Sequence, residues 1–257
     1  MSSVAIRVCA DLTAAAEATA DLVISTALDA VDQRGVFHLC ATGGSTPAAI
    51  YAALREPSRV ARMPWDKTQI WFGDDRYVPR ADPLSNLASI DAVLSADRAG
   101  VASPIQRAQV HPWPTELPSA ASAVEAYLKE LGAAGVPIAA SGHPIFDLVM
   151  IGIGGDGHCL SVFPDSPLAL PGAPAASGVP APTHIEPHVP RLSFSLGLLS
   201  AARAVCAVVV GASKSAMLNK IMHGTESARE IPAKAALLPT ATWIVDSAAA
   251  THLNESE

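Results

Sequence analysis

The stretch Phe146–Pro164, FDLVMIGIGGDGHCLSVFP, decides the fold. An apolar run from Phe146 to Ile153 stops at Gly154-Gly155-Asp156-Gly157-His158. The run is short, rich in β-branched residues and bounded by glycines, which predicts a strand buried on both faces, as in a parallel sheet. The loop after such a strand lies at the carboxyl edge of the sheet, where open α/β folds place their ligands. Its glycines let the backbone turn sharply and approach a ligand closely. Asp156 and His158 are the groups in that loop suited to proton chemistry near neutral pH. The plain alternative for this stretch is a Gly-rich turn with a hydrogen-bonded Asp; its place at a strand end favours a functional site.

The same grammar extends in both directions. Val4–Ala10 predicts a first strand, and Asp11 then caps a long amphipathic helix whose apolar positions run from Leu12 to Val31 at helical spacing. Gly35 ends that helix, and Val36–Ala41 is a second buried strand. Thr42-Gly43-Gly44-Ser45-Thr46-Pro47 follows, opening the helical AAIYAAL. Glycines, hydroxyls and a Pro in the first turn build a helix end whose free N–H groups face the loop, which is a ready anion site or an ordinary capped helix. The loop is neither a Walker A sequence nor a GxGxxG dinucleotide turn. Gln69–Gly73 is a third strand, running into Asp74-Asp75-Arg76-Tyr77-Val78-Pro79. Ser85-Asn86 opens a helix with Leu87, Ile90, Val93 and Leu94 inward; Val110–Trp113 reads as a short edge strand and Ser119–Leu131 as an amphipathic helix.

Beyond the DGH loop, Pro164–Pro190 is proline-rich and aperiodic, which predicts a long surface loop, a candidate lid. Its His184 and His188 read as solvated. Arg191 then enters the apolar LSFSLGLLSAA, Ala204–Val210 is a buried strand, and Gly211-Ala212-Ser213-Lys214 leads into a helix from Ser215 to Met222. Lys214 sits in the first helical turn, where its charge opposes the helix dipole unless an anion is also there. Ala241–Val245 is a last strand, with Asp246 capping a short final helix. The alternation predicts a single-domain, doubly wound, mostly parallel sheet with helices on both faces.

The bulk numbers bound the function. The 257 residues are half apolar and 16% charged, enough for a sizeable core. The net charge of −7 argues against nucleic acid or anionic membrane as partner, and it requires an anionic substrate to be held by a few placed cations. No apolar run reaches the length of a membrane span, and no signal peptide is visible. Cys9, Cys40, Cys159 and Cys206 stand far apart with neither zinc nor disulfide spacing, as expected of free buried thiols in a cytoplasmic protein.

Four polar loops thus follow parallel strands: TGGSTP, GDDRYVP, GIGGDGH and GASK. With the later SN, PRLSFSL and LPTATWIVD, these stretches resemble the 6-phosphogluconolactonases, within the wider group that includes glucosamine-6-phosphate deaminase, from Leu39 to Asp246 and in the family's order. The resemblance implies hydrolysis of 6-phosphoglucono-δ-lactone to 6-phosphogluconate in the pentose phosphate route, without metal or cofactor. It assigns His158 as the base acting on water and Asp156 as the group that orients the loop or the imidazole. The oxyanion falls to backbone N–H groups of the glycine loops or to Arg76. The phosphate falls to Gly43, Gly44, Ser45 and Thr46, with Arg191 and Lys214 neutralising it and Arg76 as a further candidate; Asp74 belongs to the substrate site. The partner expected is a small phosphosugar lactone, and the assembly a monomer or small homo-oligomer. Two departures stand beside the site: Asp75 where the family commonly has Glu, and Cys159-Leu160 within DGHCLS where DGHTAS is common.

Three rivals are weighed. A sugar-phosphate deaminase on this fold carries an acidic residue five positions after the His, where this chain has Phe163. A cysteine hydrolase would use Cys159, but sequence neighbours rarely point at each other. A non-catalytic sugar-phosphate sensor would have no need of an Asp–His pair.

Overall fold

The computed structural model describes residues 4–91, 94 and 104–253. In chain order the strands are β1 (Ala5–Cys9), β2 (Phe37–Ala41), β3 (Thr68–Phe72), β4 (Asp74–Arg76), β5 (Val110–His111), β6 (Leu148–Gly152), β7 (Ala176–Val179), β8 (Arg191–Phe194), β9 (Val205–Val209) and β10 (Ala241–Asp246). The helices are α1 (Leu12–Arg34), α2 (Ser45–Leu54), α3 (Pro57–Val60), α4 (Asn86–Ile90), α5 (Ala120–Ala133), α6 (Gly197–Ala201) and α7 (Ser215–His223).

Seven strands make one parallel sheet in the order β1-β10-β9-β6-β2-β3-β5, with helices packed around it in the three-layer α/β manner. From β2 the chain moves outward through β3 to β5; from β6 it moves the other way through β9 to β10, and β1 closes that edge. The direction of winding therefore reverses between the neighbours β2 and β6, the kind of crevice in which doubly wound sheets bind ligands. β2 and β9 are buried along their whole length, which is why they read as unbroken apolar runs.

α1 begins and ends as its sequence dictates. The Asp11 carboxylate accepts from Ala14 N (2.9 Å), and Gly35 closes the helix at φ +76°. Its buried face is mostly alanine, with Val23 and Ile24 as the larger buried side chains, and it packs on β1, β10 and β2 and against α2. On α5, Tyr127 Oη accepts from Phe72 N (2.8 Å) and bonds His111 O (3.1 Å). β5 is shorter than the expected Val110–Trp113 because Pro112 has no N–H for the ladder; Trp113 instead donates its Nε1 to Phe72 O (3.0 Å). Of the apolar positions expected on α4 and beyond, Leu87, Ile90 and Leu94 are buried, and Val93 lies outside the described residues.

Two features differ from expectation. The Pro164–Pro190 segment contains β7, which pairs antiparallel with β8, and β8 pairs antiparallel with β4 in a second, three-stranded sheet. Gly178 permits it, since a Cβ there would stand 2.6 Å from the Ala120 side chain at the start of α5. After Asp246 the chain makes hydrogen-bonded turns rather than a helix. Asp246 Oδ1 still caps Ala249 N (2.8 Å), and the same carboxylate reaches Gly211 N (3.0 Å) to hold the loop that carries Lys214.

Two carboxylates anchor the frame. Asp147, at the amino end of β6, accepts from His38 N of β2 (2.8 Å) and Arg34 Nε in the last turn of α1 (2.9 Å), with Arg203 Nε at 3.3 Å. Asp75, fully buried in β4, accepts from Arg76 N (2.8 Å), Ser85 Oγ (3.1 Å) and Asn86 N (2.7 Å), fixing the start of α4. Burial is the largest influence on Asp75 and raises its pKa from 3.8 to about 6, against the pull of those hydrogen bonds.

Asp147→Ala should cost roughly 2 kcal/mol in urea unfolding, since it leaves the buried His38 N–H without its acceptor and frees two partly exposed guanidinium groups at the edge of the sheet remote from the polar loops. An unchanged midpoint contradicts that. For Asp75 the raised pKa means stability is fully present below 3.8 and is lost as pH rises through about 6. Asp75→Asn, which keeps an acceptor for both backbone N–H groups, should therefore be more stable than the parent at pH 8, on the order of 2 kcal/mol, with the gap closing toward pH 4. Parallel stability–pH curves for the two proteins would rule this out.

Candidate active site

The loops after β9, β6, β2 and β3 carry GASK, GIGGDGH, TGGSTP and GDDR, and these strands are consecutive neighbours in the sheet. All four loops therefore open onto one continuous cleft over the switch point. One lobe, of about 340 Å³, is bounded by the 42–47 turn, Arg76 and Lys214. The other, of about 180 Å³, is bounded by Asp74, Asn86, Gly154, His158, Leu160 and Arg191. Thr42, Gly43, Arg76, Gly152 and Ile153 line both.

In the first lobe Gly44 holds φ +112°, a conformation that favours glycine, and so starts α2 without a side-chain cap. The N–H groups of Ser45 and Thr46 lie in the uncapped first turn, and Lys214 lies across the cleft just ahead of α7. Gly43 must be glycine for a different reason: a Cβ would stand 2.1 Å from Asn86 Oδ1. Asn86 Nδ2 donates to Asp74 O (2.9 Å), so the turn, α4 and β4 lock together there.

In the second lobe the tight loop 154–158 is closed by Gly154 N to His158 O (2.8 Å) and Gly157 N to Gly154 O (3.1 Å). A Cβ on Gly154 would lie 2.0 Å from His158 Nδ1, so the imidazole occupies the space the glycine leaves. Asp156 directly contacts the imidazole: its Oδ1 is 2.5 Å from His158 Nδ1 and also accepts from His158 N (3.1 Å). Burial favours the neutral acid, but the hydrogen bonds from His158 and His184 outweigh it and hold the Asp156 carboxyl well below the usual carboxylate range. An ionised Asp156 can only accept, so His158 carries its proton on Nδ1 and presents a free lone pair on Nε2.

Asp74 is fixed by Ser161 Oγ (2.5 Å), which a turn with Leu160 at φ +55° brings round to it. Arg76 Nη1 donates to Leu84 O (2.7 Å), while its buried Nε has no partner among the described residues. Arg191 faces Arg76 across the β4–β8 register. Burial, and then that neighbouring charge, lower its pKa. Its Nη2 and Nε donate to Pro187 O (3.0 Å) and Val189 O (3.2 Å) of the proline-rich segment.

The expected residues therefore come together, but in two groups. Gly43, Gly44, Ser45, Thr46 and Lys214 meet in one lobe; Asp74, Asp156, His158 and Arg191 gather at the other, so Arg191 does not line the lobe of Lys214, with which it was expected to neutralise the phosphate; Arg76 spans them. Sequence reasoning missed His184, which places Nε2 2.8 Å from Asp156 Oδ2, because an aperiodic proline-rich stretch gives no register. It also left Asn86 as a plain helix start. Cys159 is fully buried, and burial, then Asp74, push its thiol far up, so no thiolate nucleophile exists there.

Residues 10–245 match the family described as Glucosamine-6-phosphate isomerases/6-phosphogluconolactonase. A 6-phosphogluconolactonase of Streptomyces coelicolor is 33% identical over 94% of this chain and 91% of its own. One from Synechocystis is 31% identical over 87% of this chain and 88% of its own. The solved 6-phosphogluconolactonase of Trypanosoma brucei shares the fold, with a TM-score of 0.84 at 24% identity, covering 98% of this chain and all of that one. With its four loops on one switch-point cleft and a family match spanning most of its length, this chain belongs to the glucosamine-6-phosphate isomerase/6-phosphogluconolactonase family.

Proposed function

We propose that this chain hydrolyses 6-phospho-D-glucono-1,5-lactone to 6-phospho-D-gluconate, the lactonase step of the oxidative pentose phosphate pathway, with His158 as general base. The observation that carries the reading is the Asp156–His158 pair at 2.5 Å, in the same cleft as the uncapped first turn of α2. The phosphate lies on the N–H groups and hydroxyls of Ser45 and Thr46, at the end of a helix dipole, with Lys214 and Arg76 supplying positive charge. The sugar ring then runs along the cleft and brings C1 to His158.

His158 Nε2 takes a proton from water as the water oxygen bonds to C1. The carbonyl pair becomes an oxyanion, which meets Arg76 Nε, Arg191 or the backbone N–H groups of the glycine loops. Asp156 stabilises the imidazolium formed. The intermediate collapses by breaking C1–O5, and the proton on Nε2 passes to the departing ring oxygen, leaving the C5 hydroxyl and a C1 carboxylic acid that ionises. An ester carbonyl needs no stronger activation than this, so the reading requires no cofactor.

Phe163 separates this reading from a deaminase. It occupies the position where that chemistry wants a carboxylate, and its ring lies 4.8 Å from the His158 ring. The buried, unpaired Cys9, Cys40, Cys159 and Cys206 support a cytoplasmic location, and among the described residues no helix is long and apolar enough to cross a membrane. The acidic net charge of −7 supports a partner list limited to the small substrate, with the protein as a monomer or small homo-oligomer.

Freshly prepared 6-phosphogluconolactone, coupled to 6-phosphogluconate dehydrogenase, should be consumed well above its spontaneous rate. His158→Ala should lower kcat by about 10²–10⁴-fold, the usual worth of a general base. Lys214→Ala should act mainly on KM, raising it about 10-fold. A rate no greater than background, or an unimpaired His158→Ala enzyme, would refute the assignment.

A further inference from the structure

We propose that His184 is a positioning residue for the hydrolysis, gripping the second oxygen of Asp156 so that the first stays aligned on His158 Nδ1. The inference rests on the lactonase reading for its kinetic consequence, though the geometry stands without it. Asp156 divides its oxygens between two imidazoles: Oδ1 is 2.5 Å from His158 Nδ1, and Oδ2 is 2.8 Å from His184 Nε2. The terminal torsion of an Asp side chain is broad, so a carboxylate held through one oxygen swings easily. A donor on the other oxygen removes that freedom. Since Asp156 fixes the tautomer of His158, a swinging carboxylate would let the Nδ1 proton move to Nε2 and block the base.

The segment carrying His184 is built to hold it there. His188 Nδ1 donates to Pro182 O (2.7 Å), closing a loop around His184. Arg191 donates to Pro187 O (3.0 Å) and Val189 O (3.2 Å), tying the far side of that loop to the cleft wall. Pro180, Pro182, Pro187 and Pro190 fix φ along the way and lower the entropy lost on ordering it. The His184 and Phe163 rings meet at 84° with centroids 5.6 Å apart, and Phe163 also neighbours the His158 ring and the Arg191 guanidinium. About half of the His184 side chain still faces solvent, so the core does not require it (side-chain exposure 51%).

His184→Ala should lower kcat about 10-fold with KM within about twofold, the pattern of an orienting group rather than a binding one. His184→Gln, which keeps a planar N–H donor, should recover most of the loss. Two-bond ¹H–¹⁵N spectra of the histidine rings supply a readout independent of turnover. His158 should be a single Nδ1–H tautomer in the parent and in His184→Gln, and should populate the Nε2–H form in His184→Ala. An unchanged kcat in His184→Ala, or His158 signals identical in all three proteins, overturns the inference. A parent protein without lactonase activity sinks the functional reading instead, and the tautomer comparison still decides the role of His184.

Discussion

The parallel pairing of β2 with β6 is the constraint on which the rest depends. These strands belong to the two oppositely wound halves of the sheet, and Leu39 and Cys40 of one register with Leu148 and Val149 of the other. Because the chain leaves that seam in both directions, the carboxyl end of the seam is an open crevice. Every polar loop singled out by its chemistry follows a strand at the seam or one strand beyond it. Two glycines then let the crevice be filled. Without a Cβ at Gly43 the α2 turn closes onto Asn86, and without one at Gly154 the His158 imidazole folds back onto its own loop.

That geometry separates two electrostatic tasks. An acidic protein of net charge −7 repels an anionic phosphosugar at long range, so recognition has to be local. In the proposed function Lys214, Arg76 and the free end of α2 provide it in one lobe. In the other lobe the proposed task is to keep one imidazole oriented and to stabilise the positive charge it takes up. Asp156 suits this because it stays ionised under partial burial, held so by hydrogen bonds to two imidazoles. The proline-rich segment is tied to this second lobe twice, since Arg191 holds its backbone while His184 reaches Asp156.

The main sheet was legible because its inner strands are buried on both faces, and a strand of that kind needs a nearly continuous apolar run such as VFHLC or AVCAVVV. Helix ends were legible because their physics is local: Asp11, Gly35 and Ser119 act within a few residues. The second sheet was hidden. Asp74-Asp75-Arg76 and Ala176-Ser177-Gly178-Val179 have neither alternation nor β-branched density, and they become strands only through β8, far along the chain. Within the site, Asp156 and His158 stood out because glycines surround them, and Lys214 because its charge opposes a helix end. His184 had no such mark; its partner is 28 residues away across an aperiodic loop, a contact that tertiary packing alone creates. The deaminase rival turned on one position, and the aromatic ring of Phe163 between His158 and His184 shows what fills that place.

The central claim is that one cleft holds the phosphate at one end and the reacting carbon at the other. A crystal structure with the product, 6-phosphogluconate, tests it most directly. The phosphate should lie on the Ser45–Thr46 turn beside Lys214, and the C1 carboxylate within about 3 Å of His158 Nε2. A product bound in reverse, with its phosphate against His158 and Arg191, or with C1 out of reach of His158, would contradict it.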